Sequence, residues 1–141
     1  MKVSIIVPTY NRIDSLIETI NSIEQNDYPR KKFEIIIVDD CSTDDTKKKI
    51  KKISKAYGNI KYLKTEKNSG PAAARNLGIK HSKGEYIFFT DDDCIVPKNW
   101  IKSYLKIFKN NPSVGGIGGM LMPKSHNFFS KIEKIKDKLK L

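Results

Sequence analysis

Three consecutive carboxylates, Asp91-Asp92-Asp93, follow an apolar, β-branched and aromatic run from Tyr86 to Thr90 that Lys83-Gly84 opens. A run so short and without alternation reads as a strand buried on both faces, as in a parallel sheet. The carboxylates then stand at the C-terminal edge of that sheet, where open α/β folds bind ligands. Adjacent carboxylates repel one another, so ordering them calls for a cation. Mg²⁺ or Mn²⁺ seeks oxygen, is held by a carboxylate or two, and takes its other ligands from water and phosphate. The triplet is therefore expected to form a metal–phosphate site.

Other strand ends carry matching groups. Asp39-Asp40 closes the apolar run Phe33 to Val38, and Pro8-Thr9-Tyr10 closes the run Val3 to Val7. If the sheet is parallel, these ends share one rim with the triplet. That rim offers carboxylates for a metal, Tyr10 for stacking on a base, and Arg75, near a helix start, for a phosphate. The set suits a nucleotide diphosphate with its metal. It does not suit a free dinucleotide, because no G-x-G-x-x-G follows the first strand, and no Walker loop is present.

The elements that must position these groups alternate. The first strand, Val3 to Val7, is broken by Pro8. Ile13, Leu16, Ile17, Ile20 and Ile23 recur at helical spacing, with Asn11 expected as N-cap, Asp14 in the first turn, and Asp27-Tyr28-Pro29 as the stop. After the second strand a helix starts near Asp45, carries Ile50, Ile53 and Tyr57 on one face, and stops at Gly58-Asn59. Ile60 to Leu63 is a short strand. Gly70-Pro71 opens a helix whose Ala72, Ala73, Ala74, Leu77 and Ile79 form a small face for close packing on the sheet. Pro97 is expected to start a helix bearing Trp100, Tyr104, Ile107 and Phe108. Val114 to Met122 holds four glycines and reads as a strand closely approached at its backbone. The alternation predicts an α/β fold with a largely parallel central sheet.

With 141 residues, the chain has the size of one domain with a single core. Residues 1–125 are expected to form it, and residues 126–141 a basic amphipathic helix carrying Phe128, Ile132, Ile135 and Leu139. No segment approaches the roughly 20 apolar residues of a membrane span. With no export signal and two cysteines, Cys41 and Cys94, a reducing cytoplasm is the expected setting. The net charge of +11 favours phosphorylated ligands or an anionic membrane surface, where the C-terminal helix would lie peripherally at the inner face. The chain's lysines are spread over the expected helix faces rather than interleaved with aromatics, so nucleic acid is not an expected partner.

The motifs also carry a resemblance. Ile5-Ile6-Val7-Pro8-Thr9-Tyr10-Asn11-Arg12 resembles the opening of family 2 glycosyltransferases. Ile37-Val38-Asp39-Asp40-Cys41-Ser42-Thr43-Asp44-Asp45-Thr46 is similar to that family's V-D-D-x-S-x-D-x-T. Gly70 to Gly78 matches G-x-x-x-A-R-N-x-G, and Gly84-Glu85-Tyr86-Ile87 to Asp93 matches G-E-Y-I followed by D-x-D. The resemblance implies a GT-A fold, a Rossmann-like three-layer sandwich, binding a UDP- or dTDP-sugar with Mn²⁺ or Mg²⁺, and transfer of the sugar to a glycan or lipid-linked acceptor. Pro8, Thr9, Tyr10, Arg12, Asp39, Asp40, Arg75, Asp91 and Asp92 would bind the nucleotide sugar, with Thr9, Tyr10 and Asp39 at the base. Asp93 would ligate the metal, with Asp91 beside it.

Cys41 stands where the family usually has Gly, and Cys94 where it often has Asp; two cysteines without a supporting histidine are a weak metal set. The resemblance also implies an acceptor-binding half after the glycine-rich stretch, so the chain is expected to stop before that half. After Asp93 the carboxylates are Glu133 and Asp137, expected to pair with lysines on a solvated helix face. His81 is expected at a helix cap and His126 in a loop, so no catalytic residue is identifiable. The competing reading is a non-catalytic nucleotide-sugar module, or a donor half that needs a partner chain or a homodimer. A receiver domain is disfavoured because its acidic pair would follow the first strand, where this chain has Pro8-Thr9-Tyr10.

Overall fold

The computed structural model describes residues 2–120 and 122. By their contacts the residues form two compact units, Met1–Lys109 and Asn110–Leu141. The first unit alternates β1 (Val3–Thr9), α1 (Ile13–Glu24), β2 (Phe33–Asp39), α2 (Thr46–Tyr57), β3 (Ile60–Lys64), α3 (Pro71–Lys80) and β4 (Tyr86–Phe89), and α4 (Trp100–Asn110) ends it. The four strands form one sheet in the order β3-β2-β1-β4, every neighbouring pair parallel.

Strand alternation divides the core. Ile5, Val7, Ile35 and Ile37 point to one face and pack with Leu16, Ile20 and Ile23 of α1, Ile50 of α2 and Ile101 of α4. Ile6, Ile36 and Val38 point to the other, where Ala74 and Leu77 of α3 pack. The result is the expected three-layer sandwich. The close face of α3 is narrower than its composition implies: Ala74 and Gly78 are buried while Ala72 and Ile79 are exposed.

β1 runs through Pro8 to Thr9 rather than breaking at Pro8. Thr9 directs its carbonyl towards β2, accepting from Asp40 N–H at 2.9 Å. Pro8 therefore faces the β4 side, where the ladder has already ended at Ile6↔Phe89. Its missing N–H costs no bond there. α1 stops at Glu24, ahead of the expected Asp27-Tyr28-Pro29. The chain is diverted by Asn26, whose side chain donates to Pro97 O at 3.1 Å and accepts from Ile101 N–H at 3.1 Å. α4 likewise starts at Trp100 rather than Pro97, after a turn from Pro97 O to Trp100 N–H.

β4 was expected to be buried on both faces, and it is not. It is one of the two edge strands, with β3 at the other edge. Phe88 stacks edge-on against Trp100 at 5.1 Å and Tyr86 lies 5.1 Å from Phe108, so this face is covered by α4. On the other face α3 lies over β1 and β2, leaving Ile87 36% and Phe89 46% exposed.

In the second unit, residues 110–120 and 122 contain a turn closed by Val114 N–H and Asn111 O, and no strand over the glycine-rich stretch. A Cβ at Gly115, Gly116 or Gly118 meets nothing within 4 Å, so the expected close approach is not found there. The expected C-terminal helix, with Glu133 and Asp137, and the loop expected to hold His126 lie outside the described residues.

Gly84 does have a close approach. A Cβ there would lie 2.4 Å from Ser4 N and 2.6 Å from Val3 C, both backbone of the central strand. Gly84 N–H also donates to Ser4 Oγ at 2.8 Å, and Ser4 in turn donates to buried Glu34 at 2.6 Å. Gly84→Ala is expected to destabilise the fold by about 2 kcal/mol, within the usual range for overpacking. Urea denaturation checks it; a loss below about 0.5 kcal/mol, the scale of an ordinary surface change, would contradict the packing argument.

Candidate functional site

Parallel pairing brings the C-terminal ends of β1, β2 and β4 to one edge. The loops that leave them are tied together. Asn11 and Cys41 adopt left-handed backbone, with φ of 53° and 67°. This turns Asn11 towards the β2–α2 loop, where its N–H donates to Ser42 Oγ at 2.9 Å and its side-chain oxygen accepts from Thr43 N–H at 2.8 Å. Asn11 is therefore not the cap of α1, whose first residue Ile13 instead donates its N–H to Asp44 Oδ2 at 3.4 Å. Asp44 Oδ1 also accepts from Thr46 N–H at 3.0 Å, so one carboxylate serves the start of two helices.

Asp39 and Asp40 part company. Successive residues of extended chain point to opposite faces. Asp39 turns inward, fully buried, its Oδ1 accepting from Ser42 N–H at 2.8 Å and its Oδ2 from the Tyr62 hydroxyl. Burial first, then this hydrogen bond to Asp39, push the Tyr62 hydroxyl pKa up. Asp40 turns the other way and accepts from Thr65 Oγ1 at 2.8 Å, Ser69 N–H at 3.0 Å and Gly70 N–H at 2.7 Å. Burial would raise its pKa, but the bonds from Ser69, Thr65 and Gly70 outweigh it and hold the carboxyl below its ordinary value. Gly70, at φ 86°, makes this wrap possible and leads into α3 with Pro71 at its first turn.

These loops enclose an open cavity of about 430 Å³. From β1 come Pro8, Thr9, Tyr10 and Arg12; from β2, Asp40; from α3, Arg75; from β4, Asp91, Asp92 and Asp93. Of the residues expected at the site, Asp39 alone stays behind this wall. Asn68, Gly70 and Pro71 line it as well, unassigned from sequence. For Gly70 a signal was present, since a glycine opposite two carboxylates suits a backbone N–H donor. Asn68, in a polar loop, carried none.

Two arginines offset most of the charge of the triplet. Arg75 Nη2 lies 2.5 Å from Asp91 Oδ1, and Arg12 Nη1 lies 3.3 Å from Asp92 Oδ1 and 2.9 Å from Asp93 Oδ2. Thr9 Oγ1 donates to Asp92 Oδ2 at 2.8 Å, and Asp92 is nearly buried. Tyr10, 45% exposed, lines the cavity as well. Among the described residues no three Asp, Glu, His or Cys side chains converge on a metal position. The donor set still fits Mg²⁺ or Mn²⁺, which needs a carboxylate or two beside phosphate and water. Cys41 and Cys94 are free thiols, with Cys41 Sγ donating to Thr65 O at 3.1 Å. His81 contacts Leu77 O at 3.0 Å at the end of α3, as expected of a cap.

The depressed pKa of Asp40 gives a pH dependence. A carboxyl lowered on folding stabilises the native state above its unfolded value, 3.8, and that contribution is lost as pH falls through the lower folded value. Unfolding free energy measured from pH 6 to pH 2 is expected to fall less steeply below about pH 4 in Asp40→Asn than in the parent. At neutral pH the variant is expected to be less stable by about 1–3 kcal/mol, because an amide cannot accept all three bonds. Parallel acid limbs would contradict this.

Comparison with known proteins agrees with the geometry. The family model described as glycosyl transferase family 2 matches residues 4–136. The poly(ribitol-phosphate) beta-N-acetylglucosaminyltransferase TarS of Staphylococcus aureus is 36% identical over 132 residues, covering 89% of this chain and 23% of that protein. The crystal structure of S. aureus TarS 1-349 in complex with UDP-GlcNAc superposes with a TM-score of 0.74 at 35% identity, over 89% of this chain and 38% of that one. The mannosyltransferase PcManGT of Pyrobaculum calidifontis, in complex with GDP-Man and Mn²⁺, superposes with a TM-score of 0.80 at 29% identity, over 92% of this chain and 37% of that one. The chain thus spans less than two fifths of the length of these proteins. Its parallel sheet with flanking helices is the GT-A fold, and the chain belongs to glycosyl transferase family 2.

Proposed function

We propose that this chain binds the donor of a glycosyltransferase that moves a sugar from a nucleotide diphosphate to a glycan or lipid-linked acceptor. The carrying observation is the convergence of Tyr10, Arg75 and the Asp91–Asp93 triplet on one cavity of about 430 Å³, a size suited to a small-molecule ligand. Support also comes from relatives whose structures hold UDP-GlcNAc, or GDP-Man with Mn²⁺.

Within this reading Tyr10 stacks on the base and Arg75 binds the nucleotide phosphates. Asp40 is the member of the acidic pair that faces the cavity, and Asp39 acts from behind by holding Ser42 and Tyr62. Thr9 fixes Asp92, which with Asp91 sits towards the ribose and sugar. Asp93, with Asp91 beside it, would hold Mn²⁺ or Mg²⁺, which when bound supplies positive charge to the departing nucleotide diphosphate. A UDP- or dTDP-sugar is the proposed donor. The net charge of +11 supports peripheral contact with an anionic membrane on its cytoplasmic side.

Calorimetry with UDP, with and without Mn²⁺, tests the assignment. Binding is expected to depend on the metal, and Asp93→Ala is expected to weaken the metal-dependent affinity at least about tenfold. An unchanged affinity in Asp93→Ala would remove the basis for a metal site at the triplet.

A further inference from the structure

The guanidinium of Arg12 spans two carboxylates that leave β4 in succession. Its Nη1 lies 2.9 Å from Asp93 Oδ2 and 3.3 Å from Asp92 Oδ1. The two carboxylates differ in their other bonds. Asp92 is nearly buried and also accepts from Thr9 at 2.8 Å, so it stays in place without Arg12. Asp93 has a side chain 53% exposed, and beyond Arg12 its contact is the weak one from Cys94 Sγ at 3.8 Å. The Arg12 side chain is 56% exposed, so it can leave Asp93 without repacking the core.

Both groups line the cavity to which the proposed function assigns a nucleotide diphosphate. A planar guanidinium fork matches phosphate oxygens as well as carboxylate oxygens. The contacts with Asp92 and Asp93 raise an already high pKa, so Arg12 can leave Asp93 only by changing partners, not by losing its proton.

We propose that Arg12 is an exchangeable counter-ion: it holds the carboxylate that the divalent metal takes, and passes to the diphosphate when nucleotide and metal enter together. The inference rests on the proposed function and adds an order to it. A metal arriving alone must displace Arg12 from Asp93 and leave the guanidinium without that partner. A metal arriving with nucleotide displaces it towards new phosphate oxygens. Metal and nucleotide are thereby positively coupled, and the coupling is reciprocal. The site resists loading with metal alone.

The test measures Mn²⁺ affinity, from the electron paramagnetic resonance of free Mn²⁺, with and without UDP, at low salt. Arg12→Gln is compared with the parent and with Lys49→Gln, a remote substitution whose lysine pairs with Asp14. In Arg12→Gln, Mn²⁺ alone is expected to bind about two- to fivefold tighter, the scale of an exposed ion pair. UDP is expected to tighten Mn²⁺ less in that variant than in the parent, and Lys49→Gln is expected to behave as the parent does. Arg12→Lys, which keeps the charge and loses the fork, is expected to fall between. Unchanged or weaker binding of Mn²⁺ alone in Arg12→Gln, with UDP coupling intact in both proteins, overturns the exchange and leaves the functional reading standing. Failure of the parent to bind Mn²⁺ even with UDP overturns both.

Discussion

Parallel pairing of β1 on both sides is the constraint from which the site follows. β1 is wholly buried, with β2 on one edge and β4 on the other. Parallel neighbours must end on the same side, so Thr9, Asp39-Asp40 and the triplet after Phe89 arrive at one rim although they lie far apart in sequence. Antiparallel pairing of either neighbour would send one acidic group to the opposite edge. The return connections demanded by parallel strands are the helices that cover the sheet. α3 in particular sets out from the rim where the strands end and carries Arg75 in its first half.

The rim then solves a problem of like charge by two different means. Asp40 and Asp44 are satisfied by uncharged donors, mostly backbone N–H groups, and both have lowered pKa values despite the opposing effect of burial. These carboxylates serve as struts. The triplet is met by side-chain cations on the cavity wall. A backbone donor cannot leave without unfolding a loop, whereas a guanidinium can swing away. The division between fixed framework and exchangeable ligand is thus written in the kind of donor each carboxylate has.

Much of this was legible in the residues. Apolar runs located the four strands of the described residues, β1 and β2 because strands buried on both faces of a parallel sheet need no alternation, whereas the glycine-rich run from Val114 forms none there. Gly58 at φ 76° ended α2 where a left-handed cap was expected. What escaped depended on distant partners. Asn11 looked like a local cap, yet it bonds Thr43, because its own left-handed backbone turns it outward. Asp39 and Asp40 looked like a unit, and extended geometry alone argues that neighbours diverge. The exposed face of β4 was hidden because an edge strand and a central one can share the same apolar composition.

That edge has a mechanical consequence. β1 and β2 each have seven residues and a neighbour on both sides, whereas β4 has four and a ladder on one side. The side of the cavity formed by Pro8, Thr9 and Asp40 is therefore anchored in the most fully paired part of the sheet, and the triplet hangs from its shortest strand. Opening β4 breaks few bonds and exposes little new apolar surface on its already solvated face. The two sides of a single pocket accordingly differ in compliance: Pro8, Thr9 and Asp40 stand on a preformed surface, while the Asp91–Asp93 side is free to adjust.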